Sequence, residues 1–284
     1  MTERLVRLHA VPVACHHDPA QVFVGGTGRT LLLLHGGWGD AALHWSRVWE
    51  PLAARYRVIA PELPGFGPLD HAPCDSVPKY VTWLLGLLDA LGVDRVFGVG
   101  NSMGASVAWS LAGRAPDRCV GVALVNGYPI PSTPPPLLWL GRTRGGSALL
   151  SKLMSYAFRP RVVRRAFVHP DRVPPGVVPL LATRGARLLA NFTKVAIEGD
   201  GSPPPRVEPV LLWGAGDRLP HTSRHDAERL HATIPGARLL LLEGAGHFPQ
   251  LEVPEAFVQH LVEIIASVAA PPAPADGSAV SPGS

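Results

Sequence analysis

The chain has 284 residues, 46% of them hydrophobic and 17% charged, with a formal net charge of +4. This length and composition are typical of one globular domain with room for an insertion. Basic residues do not form blocks interleaved with aromatic ones, so no nucleic-acid partner is expected. Because no apolar run approaches the roughly 18 residues that cross a bilayer, no membrane span is expected either.

The cysteines and the first residues bear on the compartment. Cys15, Cys74 and Cys119 are odd in number and widely spaced, which argues against a disulfide framework and indicates a reducing environment. Residues 1–15 resemble an export signal, but charged residues and a proline interrupt the apolar run. A cytoplasmic location is therefore predicted.

Six short runs rich in leucine, valine and isoleucine are each followed by a turn. They are continuously apolar rather than alternating, which is typical of strands in a parallel sheet with both faces covered. The predicted strands lie at 31–35, 57–61, 95–100, 120–126, 209–215 and 237–244.

Segments with helical spacing of apolar residues alternate with these strands. They lie at 44–56, 77–92, 102–116 and 253–269. Strand and helix in alternation predict right-handed crossovers and a doubly wound α/β sheet.

One long segment lacks a clear strand and is bounded at both ends by proline clusters. Proline stops helices and stiffens the chain, so the segment is predicted to be an inserted helical cap. The last residues have little apolar content and are predicted to be disordered. The predicted units are a core of 1–129 and 206–269, a cap of 130–205 and a tail of 270–284.

The motif G-x-S-x-G occurs at Gly100–Gly104, after a predicted strand and before a predicted helix. A strand that turns sharply into a helix brings backbones so close that a Cβ at the glycine positions would clash. The turn exposes the hydroxyl of Ser102, which is the candidate nucleophile.

A serine hydroxyl needs a base and an acid that orients the base. His247 and Asp217 each follow a predicted strand, at the edge of the sheet where catalytic groups of α/β proteins collect. Either residue alone is readily explained as part of a structural loop. Together with Ser102 they stand in the order Ser, Asp, His that this architecture requires.

A tetrahedral oxyanion needs two hydrogen-bond donors. One is predicted to be the backbone N–H of Met103, at the positive end of the helix that follows the serine. The second is predicted to be the N–H of Gly37, in the loop after the first core strand. His35 in that loop is expected to brace it rather than to take part in chemistry.

Over roughly residues 20–268 the chain resembles the α/β-hydrolase fold enzymes. The motifs that carry the resemblance are HGGWGD, APELPGFG, GNSMGA, WGAGD and GAGHFPQLEVPEAF. It implies a mostly parallel eight-stranded sheet with a helical cap after the sixth strand, and neither cofactor nor metal. Glu62 stands where relatives often have aspartate before PGFG, and a structural role is expected for it.

The resemblance also narrows the chemistry. Haloalkane dehalogenases and epoxide hydrolases of this fold carry aspartate where Ser102 stands, so those reactions are not expected. Relatives with the acid after the sixth strand would need a carboxylate near Asn126, and there is none. Asn101 beside the serine looks like hydrolases that cleave carbon–carbon bonds, whereas Ala105 and Phe248 depart from their pattern.

The predicted cap has eleven Lys and Arg against three Asp and Glu, a net charge of +8. Such a cap could hold an anionic group of a substrate, and the alternative is a solvated helix face. Large apolar residues of the cap and of the catalytic motifs are candidates for a mostly apolar pocket. They are Trp38, Trp139, Phe158, Phe192, Leu219 and Phe248.

Three functions are consistent with the sequence. The first is hydrolysis of an ester, thioester or lactone of a small molecule through an acyl-enzyme. The second is a carbon–carbon bond hydrolase that uses the same three residues and a cap arginine. The third is a ligand sensor that keeps the fold without turnover. The chain is expected to be a monomer or a homodimer.

Overall fold

The structure is a computed structural model. It describes residues 5–13, 19–66, 74–129, 139, 143, 145–146, 148–149, 152, 155, 159–183, 195 and 200–268.

An eight-stranded sheet forms the centre of the molecule, in the order β1-β2-β4-β3-β5-β6-β7-β8. Strand β2 pairs antiparallel with β1 and β4, and the other neighbours are parallel. The strands are β1 Val6–Val11, β2 Ala20–Gly25, β3 Thr30–Leu34, β4 Arg57–Pro61, β5 Val96–Asn101, β6 Cys119–Val125, β7 Pro209–Gly214 and β8 Arg238–Leu242. The mostly parallel α/β-hydrolase sheet is thus confirmed.

Helices cover both faces of this sheet, which explains the continuous apolar runs. Leu31 and Leu33 pack in one core cluster and Leu32 in the other, and all three are completely buried. The helices are α1 Ala41–Trp45, α2 Trp49–Ala53, α3 Val77–Ala90, α4 Met103–Arg114, α5 Pro160–Arg165, α6 Arg224–Thr233, α7 Pro249–Glu252 and α8 Pro254–Ser267. A short 3₁₀ turn spans Pro116–Arg118.

Two local predictions differ from the structure. The helix predicted at 44–56 is wrong as a single element, because it divides into α1 and α2. Pro51 has no N–H for the carbonyl four residues earlier, so a helix is tolerated only if it begins shortly before the proline. The polar helix α6 was not predicted, because Ala227 is its one buried residue. The capping box of Ser223 and Asp226 is the signal that marks its start.

The described part of the predicted cap contains α5 and further helical residues at 177–183. The 270–284 tail, Phe158 and Phe192 lie outside the described residues. The boundaries of the cap and of the tail therefore stay predictions. Within the part of the chain that is described, no helix has the length and apolarity to cross a membrane.

Candidate active site

Ser102 stands at the sharp turn between β5 and α4. Its φ of 56° and ψ of −120° are rare for a residue with a side chain, and they present the hydroxyl at the tip of the turn. A Cβ at Gly100 would lie 2.0 Å from the carbonyl oxygen of Gly104, and one at Gly104 would lie 2.2 Å from that of Leu34. Only glycine fits both positions, which is the steric reason for the motif.

The predicted base and acid are in direct contact. His247 Nδ1 lies 2.7 Å from Asp217 Oδ2, and both residues are 4% exposed. Asp217 follows β7 and His247 follows β8, so the carboxyl ends of two adjacent parallel strands bring them together. Because the carboxylate accepts the Nδ1 proton, Nε2 is the ring nitrogen with a lone pair for proton transfer.

Asp217 is held by two further donors. Asn126 Nδ2 donates to Asp217 Oδ2 over 2.9 Å, and the N–H of Leu219 donates to Oδ1 over 3.0 Å. The side-chain oxygen Oδ1 of Asn126 in turn accepts the N–H of Gly214 over 2.8 Å. Asn126 therefore fixes the acid from the end of β6, a role that the sequence did not reveal.

Asn101 joins the nucleophile turn to the loop of the candidate base. Its side-chain nitrogen Nδ2 donates to the backbone carbonyl oxygens of Val125 and His247, over 3.0 and 3.1 Å. Its oxygen accepts from His44 Nδ1 at 3.0 Å and from Gln250 Nε2 at 3.3 Å. Asn101 is completely buried, so its side chain makes these hydrogen bonds to the protein rather than to solvent. The bonds orient the nucleophile turn relative to the His247 loop.

His44 is a second histidine near the nucleophile that the sequence analysis did not single out. A Cβ built on Gly36 would lie 3.0 Å both from His44 Cε1 and from Ser102 Cβ. Burial, followed by the nearby charges of His35 and His247, lowers the pKa of His44 well below its usual value. His44 is therefore neutral, and its Nδ1–H donates to the side-chain oxygen of Asn101.

The two predicted oxyanion donors belong to segments next to Ser102. Met103 is the first residue of α4, so the helix makes no use of its backbone N–H. The loop after β3 passes beside the nucleophile at Gly36, directly before Gly37. Both amides are thus on segments adjacent to the hydroxyl.

His35 braces that loop. Its Nε2 accepts the N–H of Leu63 over 2.9 Å, and its Nδ1–H donates to the carbonyl oxygen of Gly36 over 2.8 Å. Burial lowers the pKa of His35 to about 4. Glu62 Oε2 lies 3.7 Å from the same Nε2, and burial raises the pKa of Glu62 to about 7.

These two buried groups predict opposite responses of stability to acid. A lowered pKa in the folded state costs stability as pH falls from about 6.5 to 4, and the cost for His35 is about 3 kcal/mol at 1.36 kcal/mol per unit. The raised pKa of Glu62 instead adds stability as pH falls from about 7 to 4.5.

We therefore expect His35→Gln to gain stability in acid relative to wild type, and Glu62→Gln to lose it. The measurement is the free energy of unfolding by urea at pH 7.5 and 4.5 for the three proteins. Equal pH dependence in all three would contradict the assignment of these two pKa values.

Three of the predicted pocket residues belong to one apolar cluster. Trp38, Leu219 and Phe248 pack there with residues of the predicted cap between 162 and 182. The ring centroids of Trp38 and Phe248 lie 6.0 and 5.1 Å from that of His247. By contrast, Trp139 is 71% exposed.

The arginines of helix α5, in the predicted cap, are exposed to solvent. Helix α5 buries Val163, while Arg161, Arg164 and Arg165 are exposed on its other side. This arrangement is typical of a solvated helix face. Among the described residues, no group of three or more His, Cys, Asp or Glu side chains is arranged to hold a metal ion.

Comparison with known proteins gives a consistent result. A family model described as "Alpha/beta hydrolase family" matches residues 31–260. The 2-hydroxy-6-oxo-6-phenylhexa-2,4-dienoate hydrolase of Burkholderia cepacia is 30% identical, over 85% of this chain and 89% of its own. An uncharacterized protein of Mycobacterium tuberculosis is 29% identical, over 83% of this chain and 74% of its own.

Solved structures have the same fold. A thermophilic esterase from Thermogutta terrifontis matches with a TM-score of 0.73 and 22% identity, over 92% of this chain and 99% of that chain. The 2-hydroxy-6-oxo-6-phenylhexa-2,4-dienoate hydrolase from Rhodococcus matches with a TM-score of 0.70 and 23% identity, over 92% of this chain and 100% of that chain.

Proposed function

The chain belongs to the alpha/beta hydrolase family, and on this premise we propose that it is a serine hydrolase of a carboxylic ester, thioester or lactone. The observation that carries the proposal is the 2.7 Å hydrogen bond between His247 Nδ1 and Asp217. Ser102 lies in a strained turn, with φ of 56°, and the preceding residue Asn101 donates to the carbonyl oxygen of His247 over 3.1 Å. A nucleophile, a base and a group that orients the base are the minimum for acyl transfer.

In the proposed reaction, His247 Nε2 takes the proton of Ser102 as the hydroxyl oxygen attacks the substrate carbonyl. The N–H groups of Gly37 and Met103 stabilise the oxyanion, and Asp217 keeps the imidazole in the required tautomer. His247 then protonates the leaving alcohol or thiol, which yields an acyl-enzyme. Water activated by His247 hydrolyses that intermediate and restores Ser102.

The surroundings of His247 support an apolar acyl group. Trp38, Leu219 and Phe248 supply aromatic and aliphatic surface close to the base. Apolar surface next to the base favours apolar acyl groups, with the oxyanion donors fixing the carbonyl. We therefore propose an apolar small-molecule substrate.

A second candidate is hydrolysis of a carbon–carbon bond, which the 30% identity to the Burkholderia cepacia hydrolase favours. That reaction was predicted to use a cap arginine on a substrate carboxylate. Leu181 and Ala182 belong to the apolar cluster, and Arg184 follows them in the sequence. Arg184→Gln is therefore the variant to test, with the exposed Arg161→Gln as its control.

A substrate panel separates the candidates. It contains short and medium p-nitrophenyl esters, an acyl thioester, a lactone and a vinylogous diketone, and kcat/KM is measured for each. The proposal expects an ester, thioester or lactone to have the highest kcat/KM. Faster turnover of the diketone, with a specific loss in Arg184→Gln, would favour the second candidate. Ligand-dependent stabilisation without turnover would instead favour a sensor.

The organisation of the chain is part of the proposal. We propose a core of 1–129 and 206–269 with a cap of 130–205, acting as a monomer or homodimer in the cytoplasm. The helical residues at 177–183 support the cap. The odd number and wide spacing of the cysteines support the compartment.

A further inference from the structure

A short part of the cap, residues 166–169, is fastened to the loop that carries His247. The carbonyl oxygen of Ala166 accepts the N–H of His247 over 2.7 Å. Next to this bond, the ring of Phe167 stacks on that of Phe248, with centroids 5.1 Å apart and planes inclined by 21°. The segment therefore contacts the backbone of the candidate base, His247, and the side chain of the next residue, Phe248.

The carboxylate of Glu252 completes this attachment. Its Oε1 accepts the N–H groups of Val168 and His169, over 2.8 and 2.7 Å, and its Oε2 accepts the N–H of Gly246 over 2.7 Å. One carboxyl group thus binds cap residues 168 and 169 with one oxygen and the loop of His247 with the other. Hydrogen bonds to an ionised acceptor are roughly twice as strong as neutral ones.

Burial isolates this carboxylate. Glu252 is 3% exposed. Burial raises the pKa of Glu252, and the three backbone hydrogen bonds oppose that rise because they favour the ionised form. Removing these bonds would leave three backbone donors without their partner in a region closed to water.

Close packing leaves the segment no room to slide. A Cβ on Gly246 would lie 2.2 Å from the carbonyl oxygen of Ala166, and one on Gly216 would lie 2.3 Å from Val168 Cγ2. Gly216 directly precedes Asp217 and Gly246 directly precedes His247. The cap segment therefore packs against both loops that carry the candidate acid and base.

We propose that Glu252 is a positioning residue that holds cap residues 166–169 and the His247 loop as one unit. The alignment of His247 then depends on the cap, and a displacement of the segment would misalign the base. This inference rests on the proposed function of His247 as the general base.

The test compares Glu252→Gln with Glu255→Gln. Glutamine keeps the size of the side chain, but its NH₂ cannot accept a hydrogen bond, so the variant keeps only one of the two attachments. Glu255 is exposed and three residues away, and its substitution removes the same charge without touching either attachment. Two quantities are measured: the rate constant for labelling of Ser102 by a fluorophosphonate, and hydrogen exchange at the amides of 168, 169 and 246.

We expect Glu252→Gln to lower the labelling rate constant on the order of 10- to 100-fold, since small misplacements of a catalytic group have effects of that size. Exchange at residue 246, or at 168 and 169, should accelerate about 10-fold or more because a protecting hydrogen bond is lost. With an ester substrate, the loss should appear in kcat rather than KM. Glu255→Gln should match wild type in every measurement.

The results separate this inference from the proposed function. A purely structural role would lower the free energy of unfolding and, under conditions where the variant is fully folded, leave the labelling rate constant unchanged. That outcome, or unchanged exchange at all three amides, would overturn the inference. Failure of wild type to react would instead refute the proposed function, and the exchange data would still decide whether Glu252 joins the two segments. If Glu252→Gln does not fold, Glu252→Asp replaces it, because its shorter side chain cannot reach both partners.

Discussion

Ser102→Ala is expected to lower kcat on the order of 10⁶-fold on the best ester of the panel, which is the scale seen when such a nucleophile is deleted. The substitution removes one oxygen and leaves the turn between β5 and α4 in place. The folded state should therefore persist, as judged by circular dichroism and thermal unfolding. The measurement is kcat from initial rates, together with the loss of covalent labelling by a fluorophosphonate.

Ser106→Ala is the matched control, since Ser106 is a buried serine one turn further along α4. Its hydroxyl donates to the carbonyl oxygen of Tyr128, so the variant should lose about 1 kcal/mol of stability and keep its activity. Esterase activity retained in Ser102→Ala, at a level that excludes contamination by wild type, would refute the assignment of the nucleophile.

Asp217→Asn is expected to lower kcat on the order of 10⁴-fold, as the loss of the acid does in other serine hydrolases. The carboxylate accepts three donors, from His247, Asn126 and Leu219. An asparagine has one acceptor oxygen and an NH₂ that is a donor, so it cannot satisfy all three. We expect the imidazole to adopt the wrong tautomer or orientation in this variant.

The matched control for the acid is Asp94→Asn, because Asp94 is exposed and its substitution removes the same charge. It should match wild type in kcat and KM. An Asp217→Asn enzyme within about 10-fold of wild type would show that the acid is a different residue.

The sheet was largely predictable because its strands are continuously apolar. Leu31, Leu32 and Leu33 point to alternating sides, yet each meets a helical layer, so the run contains no polar position. Strand β1 lacks this signal because it lies at the sheet edge, where Leu8 is 53% exposed. The eight-strand count therefore came from the family resemblance rather than from periodicity.

The candidate site was predictable only where its chemistry requires a recognisable pattern in the local sequence. The glycines around Ser102 are required by contacts within the turn, and Asp217 and His247 each follow a strand at the same sheet edge. Asn126 has no such local pattern, since its 2.9 Å hydrogen bond to Asp217 joins positions 91 residues apart. In the sequence, Asn126 was of interest only because no carboxylate lies near it.

Glu252 escaped notice for the same reason. It stands in the motif GAGHFPQLEVPEAF, yet its partners Val168 and His169 lie more than 80 residues away. Long-range contacts of this kind depend on how residues 166–169 pack against the His247 loop. The pattern of residues in a single sequence does not indicate such contacts.

The most direct test of the central claim is identification of the residue that a fluorophosphonate modifies in the folded wild-type protein. Peptide mass spectrometry should find one stoichiometric adduct, on Ser102. The adduct should be absent in Ser102→Ala and should form more slowly in Asp217→Asn. An adduct on another residue, or none on a protein shown to be folded, would contradict the assignment of Ser102, His247 and Asp217 as the catalytic residues.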